Sequence, residues 1–409
     1  MKILWVNTNF LHPTTKGGQI RTLEMLRYLH RWHEIHYVAI LDPANPEGPA
    51  RSGEYCFRAY PLEHRITAKN SPAFVMEVAR GFVSPLPLAI SRFSSPRLGD
   101  FLEKLLHEEH FDRAVIDFLV PASYFPDLGR GLLFQHNVET VVWQRHAQHA
   151  RDPLRRMYFR RQAELMFTFE RSVCRKAGHS VAVSAADAQQ ICSMFGVSHV
   201  SQIPTGVNLE YFAPPPSTPR VADLVFIGSM DWLPNVDGVT WFMAEVLPRI
   251  RRRKPECTFA IVGRKPPVKI VQLANRDPGI LVTDTVPDIR SYLWGASVSV
   301  VPLRIGGGTR LKIYESMAAR IPVVSTAVGA EGLDINPPEN IRIADDPDEF
   351  AEQCFELLDD AGTRARLSEN AWQTVASRFS WETVARRFEA ILETAPSFND
   401  APAQVPLHC

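Results

Sequence analysis

The 409-residue chain is 45% hydrophobic and 22% charged, with 45 Lys and Arg balanced by 45 Asp and Glu. Such a composition belongs to globular domains and excludes a disordered or low-complexity chain. A formal net charge of zero removes any argument from bulk electrostatics for nucleic-acid binding. At roughly 150 residues per domain, two domains are expected, each able to bury its own core. No run of eighteen apolar residues occurs, so no spanning helix is predicted, and the opening MKILWVN is too short for the apolar core of a signal peptide. Cys56, Cys174, Cys192, Cys257, Cys354 and Cys409 lack CxxC or metal-ligand spacing, which predicts a reduced, cytoplasmic chain without a metal centre.

Along the first half, Lys2 to Val6 reads as a buried strand, and a polar loop carrying Gly17 and Gly18 leads to a helix with Ile20, Leu23, Leu26 and Leu29 at steps of three. Glu34 to Leu41, Ala114 to Phe118, Leu132 to Gln135 and Ser180 to Val183 are further strands. Helical stretches fall around Phe101 to His107, Tyr158 to Cys174 and Ala186 to Phe195. Strands alternating with helices predict a parallel sheet covered on both faces. The glycines of TTKGG at the turn after the first strand would let backbone approach a phosphate or sugar closely, although a glycine pair alone also fits an ordinary turn. QHNVE follows the apolar strand GLLF, so His136 projects from a strand end. Arg151, Arg155, Arg156, Arg160 and Arg161, interleaved with Leu154, Met157, Tyr158 and Phe159, are compatible with contact to an anionic membrane surface. The proline-broken apolar region from Ile66 to Ile90 has no assignment.

After Ile203 the stretch PTGVNLEYFAPPPSTPR reads as an interdomain linker, and then the pattern restarts. Asp223 to Gly228 is a new first strand, followed by Thr258 to Gly263, Ile280 to Thr283, Val298 to Val301 and Val323 to Ser325, with a helix over Val239 to Ile250. Arg251 to Lys254 close that helix, where cations suit its negative end. Between Val301 and Val323 lies the most informative segment, PLRIGGGTRLKIYESMAARI. Three glycines precede a helical pattern with Leu311, Ile313, Tyr314, Met317 and Ala318, so free amides and the positive dipole end meet a backbone that can closely approach a ligand. Arg310 and Lys312 add cations there, and Glu315, three residues after Lys312, suits sugar hydroxyls. Taken alone, Lys312 and Glu315 also fit an ordinary surface pair.

GGGTRLKIYESMA followed by PVVSTAVGAEGL resembles the donor-site signature of retaining family 4 glycosyltransferases, particularly bacterial members that build exopolysaccharides. The resemblance implies an α/β GT-B fold, two doubly wound Rossmann-like domains facing each other across a cleft. It divides the chain into an acceptor-side domain over 1–204, a linker over 205–220, a donor domain over 221–379, a helix over 380–395 that packs back on the first domain, and a tail. The implied activity is transfer of a sugar from a nucleoside-diphosphate sugar to a glycan, lipid-linked or small-molecule acceptor, with retention of configuration and no obligatory metal; the expected location is cytoplasmic, with the arginine stretch leaving peripheral contact at the inner face of the membrane open. Glu315 would bind the ribose, the helix start at Gly308 and Thr309 with Arg310 and Lys312 would hold the departing diphosphate, and the sugar contact would fall to backbone amides around Gly308 and Thr309 or be absent. Gly17 and Gly18 would reach donor phosphates or acceptor, and His136 would hydrogen-bond the donor sugar or assist proton transfer. Ser229, Gly263, Arg264, Val286 and Leu311 complete the implied donor site.

Three departures accompany the likeness. The family's usual form has two glutamates eight positions apart, and Gly307 stands where the first would be. Asp231 and Asn235 occupy the loop where many relatives carry an Arg and Lys pair. Arg320-Ile321 precedes Pro322 where a glycine is usual, so the bend there would differ in detail. A GT-B-like epimerase and a non-catalytic nucleotide-sugar-binding subunit are the competing readings.

Overall fold

The computed structural model describes residues 1–14, 17–68, 71–150, 152–305 and 311–397. They form two units, one of Met1–Pro204 with the chain from Val384 onward, the other of Thr205–Thr383.

The first unit holds seven strands: β1 (Lys2–Asn9), β2 (Glu34–Leu41), β3 (Arg58–Glu63), β4 (Arg113–Asp117), β5 (Gly131–Gln135), β6 (His179–Ala182) and β7 (Val200–Gln202). Their spatial order is β3-β2-β1-β4-β5-β6-β7 and every pairing is parallel. Ile3 to Val6 are wholly buried, as a continuous apolar run in a sheet covered on both faces must be. The two strands without a sequence signal, β3 and β7, are the sheet's edges: RAYPLE carries Pro61 and a charge at each end, and β7 has three residues. Order reverses between β1 and β4, and outside the carboxyl ends of strands at such a point a doubly wound sheet leaves room for a ligand. Within this unit Trp5 meets Phe134 edge-on, with centroids 6.3 Å apart, and Phe388 at 5.5 Å. Phe388 belongs to the Trp381–Thr394 helix, whose Val384, Ala385, Phe388 and Leu392 are buried at helical spacing. Arg113 satisfies that helix's last carbonyls, donating to Leu392 O at 2.5 Å and Glu393 O at 2.9 Å.

The second unit holds β8 (Ala222–Ile227), β9 (Phe259–Val262), β10 (Ile280–Val282), β11 (Ala296–Val301), β12 (Val323–Ser325) and β13 (Arg342–Ile343). The order β10-β9-β8-β11-β12-β13 is again parallel and again reverses, here between β8 and β11. It is a second doubly wound sheet, and the pair of Rossmann-like units gives the α/β architecture of the GT-B fold.

Three details differ from the reading of the sequence. Gly17 and Gly18 are the first residues of the Gly17–Leu29 helix rather than part of the loop before it. The expected helix over Val239 to Ile250 is part of a longer run, Leu233–Trp241 and Leu247–Arg253 joined by a π-turn at Phe242–Val246. Pro248 sits in the first turn of the last piece and has no N–H for the α-helical ladder, and the wider turn just before it absorbs that break. Finally, the supposed linker is partly folded. Val207 N donates to Phe379 O at 2.7 Å, Asn208 caps the Leu209–Phe212 helix through Tyr211 N at 2.9 Å, and Trp294 Nε1 donates to Phe212 O at 2.9 Å.

Candidate functional site

In the second unit the switch point is lined by the ends of β8, β9 and β11 and by the Leu311–Ala318 helix. Gly263 closes β9 so near Gly228 that a Cβ would lie 1.9 Å from the Gly228 carbonyl oxygen, so only glycine permits the two backbones to touch. Gly228 likewise leaves room for a side chain from the facing helix. A Cβ there would meet Lys312 Nζ at 2.6 Å. Lys312 rises from its helix over the face of Phe226, 4.3 Å from the ring centre, and donates to Asn235 Oδ1 at 2.9 Å. Asn235 is buried and donates from Nδ2 to Ser229 O at 2.7 Å, so it couples the cation to the loop after β8. Standing in the loop where an Arg and Lys pair was expected, the residue holds a cation from the facing helix.

Glu315 lies one turn beyond Lys312 and is partly exposed. Its carboxylate has no hydrogen-bond partner among the described residues. Desolvation pushes it up to about 7, against the pull of Lys312. Tyr211 is electrostatically coupled to it, and Arg290 stacks on the Tyr211 ring at 3.9 Å while gripping Asp288 with Nε and NH2. That grip fixes the loop through Val286, which packs partly buried on the core. Neither Tyr211 nor Arg290 had a motif to mark it.

Of the remaining implied donor residues, Ser229 Oγ donates to Asp231 Oδ1 at 2.6 Å and accepts from Arg264 Nε at 2.8 Å. Arg264 is exposed and also lies 3.5 Å from Asp231, an ordinary solvated pair. Leu311 is half-buried at the helix start. Gly308, Thr309 and Arg310 lie outside the described residues, as does Gly307. The segment leading to them is anchored: Arg304 grips Asp237 at 3.0 and 2.7 Å, and Gly238 packs where a Cβ would be 2.5 Å from Pro302 O.

The first unit's switch point is built differently. Asp117 ends β4 fully buried and accepts from Trp5 Nε1 (3.0 Å), Asn7 Nδ2 (2.6 Å), Thr22 Oγ1 (2.8 Å) and His136 Nε2 (2.7 Å). Arg21 NH1 approaches the other ring nitrogen of His136 at 3.0 Å. A guanidinium only donates, so Nδ1 accepts and Nε2 carries the proton. Desolvation lowers the imidazole's pKa, with Arg21 adding to the fall and Asp117 opposing it, and the ring is neutral. Burial likewise pulls the Arg21 guanidinium down to about 10. His136 stacks on Phe118, centroids 3.9 Å apart and 8° from parallel. Phe118 takes φ 69°, a left-handed conformation uncommon for a bulky residue. Gly18 completes the stack, since a Cβ there would lie 2.5 Å from Phe118 Cζ, whereas Gly17 is exposed with open space around it.

His136, expected to serve a sugar or move a proton, thus stands in a hydrogen-bonded cluster. Both ring nitrogens are engaged, and the side chain braces the strand end. Arg21 and Asp117 escaped the sequence reading, though an arginine inside an apolar helical stripe and an acid ending a buried strand were visible signals. Glu170, also unmarked, caps the Glu139–His149 helix by accepting from Glu139 N (3.0 Å), Thr140 N (2.8 Å) and Thr140 Oγ1 (2.5 Å), and burial pushes it up to about 7.

Solved structures share this architecture. HepE of Anabaena, crystallised in complex with UDP, superposes with a TM-score of 0.65 at 13% identity, covering 96% of this chain and 100% of that one. Sucrose-phosphate synthase of Thermosynechococcus elongatus gives 0.67 at 17%, covering 96% and 98%. Among curated proteins, an uncharacterized 44.6 kDa protein in the cps region of Klebsiella pneumoniae is 22% identical over 164 residues, which is 38% of this chain and only 42% of that relative's length. Residues 15–211 match the family model described as Glycosyltransferase Family 4, and residues 222–360 match the one described as Glycosyl transferases group 1. Both units are thus glycosyltransferase domains, set on the two parallel sheets of the GT-B fold.

Proposed function

We propose that the protein transfers a sugar from a nucleoside-diphosphate donor to a glycan, lipid-linked or small-molecule acceptor, with retention of anomeric configuration. The observation that carries this reading is the placement of Lys312. A cation held by Asn235 and Phe226 stands at the strand ends of the second switch point, one turn from a carboxylate that has no hydrogen-bond partner among the described residues. A diphosphate beside Lys312 and a ribose beside Glu315 would use both groups, with the helix dipole adding to the anion's stabilisation. The complexes of HepE with UDP and with UDP-glucose support the donor class. The reading assigns no step to a bound metal.

The test is to incubate the purified chain with UDP-, GDP- and ADP-sugars, with and without acceptors, in the presence and absence of EDTA. Glycosylated product of retained configuration, formed equally in EDTA, is the expected result. Epimerised donor would instead identify an epimerase. Binding without turnover would identify a non-catalytic subunit, for which Gly307 in the place of the family's first glutamate is the specific reason. Failure to bind any nucleotide would remove the donor site altogether.

A further inference from the structure

The Pro72–Arg80 helix is PAFVMEVAR, seven apolar residues in nine, yet it buries none of them. Helices of globular proteins are stabilised mainly by packing an apolar face, so this one lacks its partner among the described residues. Val75 is 68% exposed and Met76 56%, and the turn that follows adds Phe82 at 40% and Val83 at 84%. The segment is nevertheless tied down. Gln162 Nε2 donates to Gly81 O at 3.0 Å, Gln162 Oε1 accepts from Leu88 N at 2.8 Å, and the Phe82 ring meets Tyr158 at 5.2 Å.

Those ties set it beside the start of the Pro153–Lys176 helix, where Leu154 and Met157 are also exposed. The same helix carries Arg155, Arg156, Arg160 and Arg161, and Arg80 ends the shorter one. Arg151 lies outside the described residues. Opposing charge is sparse: Glu77 is engaged by Thr67 and Arg92, Asp152 caps its helix through Arg155 N, and exposed Glu164 lies 3.8 Å from Arg161. Neither Arg155 nor Arg160 has an ion pair among the described residues.

We propose that this face of the first unit docks on a bilayer surface rich in anionic lipid, the apolar side chains entering the headgroup boundary and the arginines meeting lipid phosphates. Charge selects the occupant. A protein partner would need only the apolar patch, whereas five arginines flanking exposed Val, Met, Phe and Leu side chains match an interface that is apolar inside and negative outside. The inference is independent of sugar transfer, since lipid binding is read without any donor, and either reading can fail while the other stands.

The experiment is co-sedimentation of the full chain with vesicles of phosphatidylcholine alone or with 30 mol % phosphatidylglycerol. Binding should be at least about tenfold tighter to the anionic vesicles and weaken as salt shortens the screening length. At about fivefold per arginine, Arg155→Ala with Arg160→Ala should weaken it by roughly twenty- to thirtyfold. Met76→Ser with Val83→Ser should weaken it comparably while leaving the thermal melt unchanged, because both positions are exposed. Three results would overturn the proposal: no binding to anionic vesicles at low salt, equal binding to both compositions, or retention of binding by both double variants. Monomer formation on Met76→Ser with Val83→Ser, from a wild-type dimer that ignores vesicles, would assign the face to self-association instead.

Discussion

At the first sheet's switch point Asp117 accepts four hydrogen bonds and His136 has both ring nitrogens occupied, whereas at the second Glu315 accepts none among the described residues and Lys312 stands half-exposed against Asn235. The topology is the same and the residue types are similar: one acid, one base or cation, and closely packed glycines. The difference lies in satisfaction. A polar network closed on itself fixes the shape of its strand ends, while a carboxylate without a hydrogen bond keeps its bonding capacity for something else. Perturbed groups occur in both places, so a shifted pKa does not by itself distinguish a brace from a binding site.

The largest expected effect breaks the closed network. Asp117→Ala would leave Arg21 without its buried counter-charge and strand the donors of Trp5, Asn7, Thr22 and His136, at a cost of about 3–5 kcal/mol in denaturant unfolding. A loss below about 1 kcal/mol would show that the network is not closed. Lys312→Ala is the matching cut in the open pair. Its stability should stay within about 1 kcal/mol of the parent, while turnover falls about 100- to 1000-fold, as removal of one preorganised donor does at other anionic transition states. Equal turnover in the two proteins would remove Lys312 from the leaving-group site.

Much of this contrast was legible in the sequence at the level of elements and little at the level of partners. Continuous apolar runs such as ILWV and LVFI specify buried parallel strands whatever surrounds them, and GGGTRLK predicts an anion site at a helix start because glycine and cation chemistry is local. The bonds of Asp117 to Trp5, Asn7 and Thr22 span 95 to 112 residues, and no periodicity reports such a meeting. His136 looked available because its place after a strand end is readable, while its burial and Arg21 at its second nitrogen are not. Edge strands β3 and β7 were invisible for a related reason: their pairing partners, not their composition, make them strands.

Two glycines that the sequence treats alike separate the brace from its surroundings. Gly18→Ala would press a methyl into the Phe118 ring that stacks on His136, costing about 1–3 kcal/mol by overpacking. Gly17→Ala meets nothing and should be neutral or slightly stabilising through helix propensity. Matching melting temperatures for the two variants would show that the Phe118 stack yields freely.

The open pair can be sharpened with pH. Because Glu315 is pushed up to about 7, its carboxylate predominates only above that pH. If that carboxylate accepts ribose hydroxyls, nucleotide affinity should rise roughly tenfold from pH 6 to pH 8, about one pKa unit's worth of free energy, and Glu315→Gln should flatten the profile in calorimetric titrations. Stability of the unliganded protein must move the other way. The folded state holds the extra proton between about 4.5 and 7, so this residue's contribution falls as pH rises through that window. Glu170 is shifted in the same direction, and only the difference between parent and Glu315→Gln isolates the site.

The smallest effect concerns the bend that closes the Lys312 helix. Arg320 stands in the bend where the resemblance leads one to expect glycine, and it takes a left-handed conformation that glycine favours, φ 58°. Ile321 N donates to Ser316 O at 2.9 Å and Arg320 N to Met317 O at 3.1 Å, so the helix end keeps the hydrogen bonding of a glycine-terminated one. The strain of a side chain in that region, about 1–2 kcal/mol, is offset by the guanidinium, which stacks on Trp372 at 4.0 Å and pairs with Glu369. Arg320→Gly loses the contacts together with the strain and should leave the melting temperature nearly unchanged. Arg320→Ala loses the contacts and keeps the strain, and should fall below Arg320→Gly by about 1 kcal/mol. If alanine proved as stable as glycine, the bend would not require the left-handed region, and the hold it gives on the helix carrying Lys312 and Glu315 would have to come from Ile313, Tyr314 and Met317 packing into the core.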